Sequence, residues 1–436
     1  MAEAGTRCLM SRLLITGGRV VDPSQSLDRI TNVLIEDGRI VSLEVDAPQA
    51  DRVIDAAGKL VVPGLIDLHV QIREPGFEED ETIESAALAA LAGGFTSIAA
   101  ISETNPPVDS AAAVTYIGHQ ASEANHANVY AIACVSSGRQ GEELAEIGIL
   151  NNAGAIAFCD GQRPVSNPEL LRRALEYTQM FGRPVLNRPE MVELSRDGVM
   201  HDGTISTVLG LAPMPAEAED VMAARDIRIC EATGGRLHLL AISCSGTVEM
   251  LRRAKDRQVG VTASICAYQF ALTDEAMRGF HTSLKLNPPL RSQDHIEACI
   301  AGLRDGTIDV IASGHAPRSS EKKMCAITEA PFGMVGLETS LGLVSTHLVH
   351  AGHLDWPAVV RAMSCNPARV LGIEKGTLRP GSDGDVTIID PQCEWTVDIG
   401  QFRSKSSNSP FHGTKLKGRA VETIVGGVSK FRYDGS

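Results

Sequence analysis

Gly64-Leu65-Ile66-Asp67-Leu68-His69-Val70-Gln71-Ile72-Arg73-Glu74-Pro75-Gly76 is the stretch from which the architecture is read. A short apolar run leaves the breaker pair Pro63-Gly64, turns polar and stops at Pro75-Gly76, which is the pattern of a buried strand running into a loop. Seven similar runs follow, at residues 96–101, 129–134, 155–158, 184–187, 237–241, 260–264 and 309–313. Helical patterns fall between several of them, such as 81–92 and 169–181. Alternating strand and helix over roughly 300 residues predicts a parallel sheet, and eight strands predict a closed (β/α)8 barrel of the TIM type. Chemistry in such barrels sits at the C-terminal strand ends. The residues to inspect therefore lie near 69–73, 101–105, 134, 159–163, 187–190, 241–244, 264–269 and 313–318.

Working outward, both ends of the chain read differently. Before residue 64, short apolar runs at 13–16, 19–22, 33–36, 39–41 and 59–62 are punctuated by Gly17-Gly18 and Asp37-Gly38, the latter a two-residue hairpin signal. Near the other end, 385–390 reads as one strand, and 421–425 with 428–431 reads as a hairpin around Gly426-Gly427. Two β-rich ends around a different middle predict a small β-sandwich built from 1–63 plus 370–436, beside a barrel of 64–369.

Composition narrows the partners. Of the 436 residues, 43% are hydrophobic and 22% charged, as in an ordinary soluble globular protein. The net charge of −14 and the 4% of aromatic residues argue against nucleic acid or an anionic membrane as the main partner. Ten cysteines occur singly, with no CxxC pair, so reduced thiols are expected. No apolar run is long enough for a membrane span, and residues 1–12 lack a signal pattern, so a cytoplasmic location is expected.

The stretch at 64–76 resembles the first barrel strand of dihydroorotases, metal-dependent hydrolases of the amidohydrolase superfamily. Other landmarks of that family are Thr104-Asn105-Pro106-Pro107, Leu286-Asn287-Pro288-Pro289-Leu290-Arg291, His315-Ala316-Pro317, Pro331-Phe332-Gly333, and Ser407-Asn408-Ser409-Pro410-Phe411-His412-Gly413. The resemblance covers essentially the whole chain. It implies the same barrel and terminal sandwich. It also implies a site of four histidines, a bridging carboxylate and a final aspartate, which hold one or two zinc ions and move the proton of a metal-bound hydroxide.

Position by position, this chain departs from that set. His69 matches the first metal histidine, but Gln71 stands at the second, and an amide is a poor zinc ligand. Gly161 takes the carboxylate position, with Asp160 one residue off and expected to point elsewhere. Arg188 and Ala241 stand at the other two histidines, and Gly314 at the general acid/base. Arg73 and Asn287 match positions that bind substrate, whereas Glu103, Arg318 and Ala267-Tyr268-Gln269 depart from the pattern. Because buried charges need partners, Arg73 is expected to pair with Glu103, and Arg188 with Glu103 or Glu190. His69, His238 and His315 are expected to be hydrogen-bonded core histidines.

Five departures in six positions lead to the expectation of no metal cofactor and no catalytic residue. With this pattern of departures the chain resembles the non-catalytic dihydroorotase-like subunits that accompany aspartate carbamoyltransferase, and the resemblance implies a structural role in which it supports that transferase, self-associates, or does both. Two alternatives remain open at this point. One is an active dihydroorotase or related cyclic-amide hydrolase using zinc, and the other is a metal-free sensor holding a small anion on Arg73 and Asn287.

Overall fold

The structure, a computed structural model, describes residues 12–44 and 50–435. The expectations placed on the first residues, a signal-free start and a reduced Cys8, lie outside them.

All eight runs form strands of one parallel sheet, Leu65–Val70, Phe95–Ala100, Asn128–Ala133, Ala157–Phe158, Val185–Asn187, Leu237–Leu239, Val261–Cys266 and Val310–Ala312, paired in chain order. The sheet closes on itself: Val70 bridges His315 in parallel, and the Gln71 amide donates to the His315 carbonyl at 2.9 Å. Asp67 secures the same seam, since its carboxylate accepts from the amides of His69 and Ser313, both at 3.0 Å.

The strand period of two sorts side chains into two layers. Ile66, Leu68, Ala99, Ile101, Ile132, Ala157, Leu186 and Val310 pack inside the barrel, joined from below by Ala368, Val370 and Leu371. Leu65, Val70, Ile98 and Ala100 face outward against the helices. The helix Ile83–Ala92 starts at a capping box between Thr82 and Ser85, and its buried Ala86, Ala87, Ala89 and Ala90 let it lie close to the strands. The pattern at 169–181 becomes the helix Pro168–Thr178, opened by an Asn167 cap, followed by a tighter turn over Gln179–Phe181.

Both ends of the chain build one further sheet beside the barrel. The strand Leu60–Pro63 lies between Arg12–Asp22 and Val386–Thr396, and the hairpin strand Lys415–Val425 adds to the far side. The Asp37-Gly38 turn has both residues at positive φ, as its hairpin type requires. Among the contacts that join the two units, Thr387 Oγ1 donates to the Gly94 carbonyl at 2.6 Å, Thr423 Oγ1 to the Leu91 carbonyl at 2.8 Å, and Gly64 N to the Asp385 carbonyl at 2.9 Å. A strap from the sandwich also crosses the barrel rim. Asn408 donates to the carbonyls of Ala316 and Gly333, which accounts for an asparagine inside the Ser407–Gly413 motif. No helix among the described residues is long and apolar enough to cross a membrane.

Candidate active site

A cavity of about 860 Å³ opens at the C-terminal strand ends. His69 and Gln71 line it from the first strand end, Glu103 from the second, Gln162 from the fourth, and Arg188 and Glu190 from the fifth. Tyr268 and Gly314 come from the seventh and eighth, with Lys285 and Asn287 from the loop between. Size and position suit a small organic substrate.

His69 is buried, and its Nε2 lies 3.0 Å from the Gln162 amide nitrogen, so the ring is the acceptor there. Burial, and then the neighbouring Arg188 charge, lower its pKa to about 4. It is therefore neutral at physiological pH. Its Nδ1 faces Cys266 Sγ at 4.0 Å, and burial pushes that thiol up to about 12.

Two ion-pair networks flank this histidine. In the first, Arg188 donates through Nη2 to Glu190, which also accepts from Ser195 Oγ at 2.6 Å and from Asn287 Nδ2 at 3.2 Å. The Nε of Arg188 is buried without a hydrogen-bond partner. In the second, Arg73 donates to Gln71 Oε1 and to the Pro317 carbonyl, and approaches Glu103 at 3.7 Å; Arg139 reaches the other oxygen of Glu103 at 3.3 Å. Both expected pairings, Arg73 with Glu103 and Arg188 with Glu190, are thus present. The consequence for the two substrate positions is specific. Asn287 lines the cavity but donates to Glu190, while Arg73 lies behind the wall with its guanidinium engaged by the protein.

The residues at the remaining family positions do not fit a zinc centre. Among the described residues there is no group of three or more His, Cys, Asp or Glu side chains that could hold a metal. Asp160 turns away, as the register predicts, and accepts from the amides of Val135 and Ser136 at 2.9 and 3.0 Å. A Cβ on Gly161 would meet Arg139 Nη2 at 2.9 Å. A Cβ on Gly314 would meet Cys266 Sγ at 2.6 Å and Tyr268 Cε1 at 2.9 Å, so the place of the acid/base carboxylate is filled by other side chains. Ala241 holds a positive φ of 52° at the sixth strand end, an outlier for a residue with a Cβ. The guanidinium of Arg188 adds a permanent cation next to His69.

Of the three histidines expected in the core, His315 is fully engaged, with Nε2 3.2 Å from Glu81 and Nδ1 accepting from the Gly336 amide. His238 is only half satisfied. Its Nδ1 meets Thr262 Oγ1 at 2.8 Å, but its Nε2 has no partner, which corrects the sequence reading. The sequence reading also missed Gln162, Ser195, Lys285 and Arg139. The first and third stand beside quoted motif residues, Gly161 and Leu286, and this adjacency was the available signal. Ser195 ends the short helix Val192–Ser195 and Arg139 the single helical turn Ser137–Arg139, and neither stands beside a quoted motif.

Comparison with known proteins places these observations. A family model described as Dihydro-orotase-like matches residues 58–246. A protein of Pelotomaculum thermopropionicum named dihydroorotase is 51% identical over 417 residues, covering 95% of this chain and 97% of its own. A putative dihydroorotase of Rhodopirellula baltica is 44% identical over 421 residues, covering 96% and 92%. The L-hydantoinase of Arthrobacter aurescens superposes with a TM-score of 0.87 at 25% identity, over 97% of this chain and 96% of that one. The barrel and its terminal sandwich are those of this fold. The expectation that the chain is no enzyme is corrected here, because relatives of 46–51% identity over nearly the full length bear the name of a hydrolase. Loss of ligand positions bears on metal affinity and does not by itself exclude activity.

Proposed function

We propose, from the premise that this chain belongs to the dihydroorotase-like family, that it is a cyclic-amide hydrolase acting on dihydroorotate or a close relative. The observation that carries this reading is the identity of about half of all residues, across nearly the whole chain, with proteins named dihydroorotase. The pocket is compatible with it. Hydrolysis adds water across the ring C–N bond, gives the nitrogen a proton and creates a carboxylate. Negative charge therefore grows along the reaction. The cavity that would hold the ring is lined by Arg163, Arg188, Arg196, Lys285 and Arg318 against Glu103, Glu190 and Asp197. Fixed cations in a partly desolvated pocket stabilise such developing charge. Gln162 holds the neutral His69 ring in place at the cavity wall.

The test is an assay of purified protein for ring opening of dihydroorotate and for the reverse closure, with a chelator in one arm and added zinc in the other. Because the donor set does not suit zinc, turnover that persists in the chelator is the expected result. Turnover in neither arm overturns the reading. Association with aspartate carbamoyltransferase is a separate proposal, resting on the resemblance of the damaged site to chains that accompany that transferase. Coexpression followed by size-exclusion chromatography tests it, and two independent peaks would refute it.

A further inference from the structure

Another cavity, of about 540 Å³, lies at the opposite end of the barrel, where the terminal sandwich meets it. One wall is the helical run 356–371. Ser364 Oγ in that run donates to the Gly64 carbonyl at 2.8 Å, and Asn366 Nδ2 to the Asp309 carbonyl at 2.7 Å. The run therefore covers the N-terminal ends of the first and last barrel strands, and its Ala368, Val370 and Leu371 plug the barrel from below. Its turn Arg361–Cys365 is wider than an α-helix, just before Pro367, which has no N–H to donate. The facing wall is the loop 373–379, held close by Gly376, where a Cβ would meet the Ser364 carbonyl at 2.6 Å.

Among the described residues, the lining of this cavity has four cations, Arg361, Arg369, Lys375 and Arg379, and no carboxylate. Lys375 is paired from behind with Asp383 at 2.6 Å and Asp385 at 2.7 Å. Arg369 reaches Asp309 at 3.4 Å, but Lys255 holds that carboxylate more closely, at 2.7 Å. Arg361 and Arg379 are exposed and have no carboxylate partner among the described residues; Arg379 donates to the Ser24 carbonyl at 2.7 Å. Glu374, in the wall loop, is exposed and outside the lining, and Asp22 behind it is occupied by Thr377 Oγ1 and the Leu378 amide. Two further arginines add to the field. Arg183 donates to the Gly372 carbonyl, and Arg236 to the carbonyls of Arg369 and Val370. A chain with a net charge of −14 thus has a groove whose charged lining is wholly positive.

We propose that this groove binds a small molecule carrying two or more phosphates, held by Arg361, Arg369 and Arg379 with the half-buried Lys375. It is separate from the cavity at the C-terminal strand ends and does not depend on the function proposed for that cavity. Cations gathered without facing carboxylates repel one another, and a bound polyanion removes that repulsion. Each guanidinium presents a planar fork that takes two oxygens, and a phosphate has three to share between neighbouring forks, against two on a carboxylate. Three forks spread along one groove call for charge at more than one position of the ligand, which a lone orthophosphate lacks. Arg369 belongs to the helix that plugs the barrel, and Arg379 is bonded to the sandwich, so a ligand between them ties the two units together.

The experiment is calorimetric titration of the full chain, in a low-salt buffer with chelator, using pyrophosphate, tripolyphosphate, orthophosphate and citrate as separate probes. Pyrophosphate and tripolyphosphate are expected to bind about 10-fold or more tightly than orthophosphate and citrate, with affinity falling as salt is raised. Arg361→Ala/Arg379→Ala changes two exposed side chains. It should lower pyrophosphate affinity by about 10-fold or more and leave the melting temperature of the free chain unchanged. Arg163→Ala/Arg196→Ala, in the other cavity, should bind pyrophosphate as the parent does. Hydrogen exchange of the parent chain supplies a reading that needs no variant: pyrophosphate should protect amides within 361–379. Adenosine triphosphate is titrated beside tripolyphosphate; tighter binding of the nucleotide assigns the site to nucleotides, equal binding assigns it to polyphosphate itself, and both uphold it. Citrate binding as tightly as pyrophosphate, affinity lost in the Arg163/Arg196 variant instead, protection confined to residues outside 361–379, or no binding of any probe would each overturn the proposal.

Discussion

Replacing Gly314 by alanine tests whether the acid/base position has been closed by repacking rather than left open. The added Cβ would lie 2.6 Å from Cys266 Sγ and 2.9 Å from Tyr268 Cε1, both well inside van der Waals contact. Cys266 and Tyr268 are buried, so neither can swing into solvent. The backbone adds to the cost, because φ is +62° and a side chain in the left-handed region loses roughly 1–2 kcal/mol. Overpacking a filled core costs roughly 1–3 kcal/mol. Gly314→Ala is therefore expected to destabilise the fold by about 2–5 kcal/mol. For 436 residues unfolding as one unit, at about 2 cal/mol/K per residue, that lowers the melting temperature by about 2–5 °C. Thermal unfolding at a fixed scan rate, with denaturant titration beside it, reads the loss. Cys266→Ala in the same chain removes the Sγ contact, so the pair should couple by about 1 kcal/mol or more while the backbone part remains. A Gly314→Ala protein within about 0.5 kcal/mol of the parent, or a pair that shows no coupling, would refute the packing described around this glycine. Gly314→Asp places a carboxylate in the same space and is expected to lose at least as much stability.

Other outcomes follow from the same geometry. Arg188→Ala leaves the buried Glu190 with Ser195 and Asn287 but no cation, and should cost about 3–5 kcal/mol in a denaturant titration; adding Glu190→Gln should recover most of it. Burial raises the pKa of Glu338 to about 7, while its Oε1 accepts from the amides of Arg403 and Ser404. The folded state therefore holds a proton that the unfolded state releases near pH 4.5. The contribution of this group is present in full at lower pH and is lost as pH rises to about 7. Glu338→Gln should flatten stability between pH 5 and 8, and an unchanged pH profile would contradict the assignment. Among the described cysteines only Cys325 is exposed, so brief alkylation of native protein followed by peptide mapping should label it ahead of Cys159 and Cys266, whose thiols burial pushes up to about 12. Equal labelling of all three would show that the barrel end is open to reagent.

The barrel was legible because its signals are local. Each strand is a short apolar run with a breaker at one end, and the helices between show their own period. The direction of Asp160 was legible for the same reason, since a one-residue offset along a strand reverses the face. The pairing of Arg188 with Glu190 could be anticipated from desolvation alone, because a charge buried between strand ends must find an opposite one nearby. What was not legible depends on segments distant in the chain. No pattern in 264–269 announces that Cys266 and Tyr268 fill the space beside Gly314, which comes from the next strand end. Asn287 was read as a substrate contact because its motif is intact, yet its amide meets Glu190, ninety-seven residues earlier. The reading of the chain as inactive failed for a related reason. Counting metal ligands tests one set of positions, whereas the likeness to proteins named dihydroorotase extends over nearly the whole chain.

The strand Leu60–Pro63 has a consequence for how the chain is made. One of its edges pairs with Arg12–Asp22 and the other with Val386–Thr396, some 320 residues later. At about 5–20 residues per second, the ribosome needs tens of seconds to deliver that partner. Through that interval the N-terminal strands have an open edge of backbone donors and acceptors, next to the hydrophobic Val61 and Val62. The sandwich is therefore the last part of the molecule to close, and the nascent chain is most exposed to edge-to-edge association while its barrel is still being synthesised.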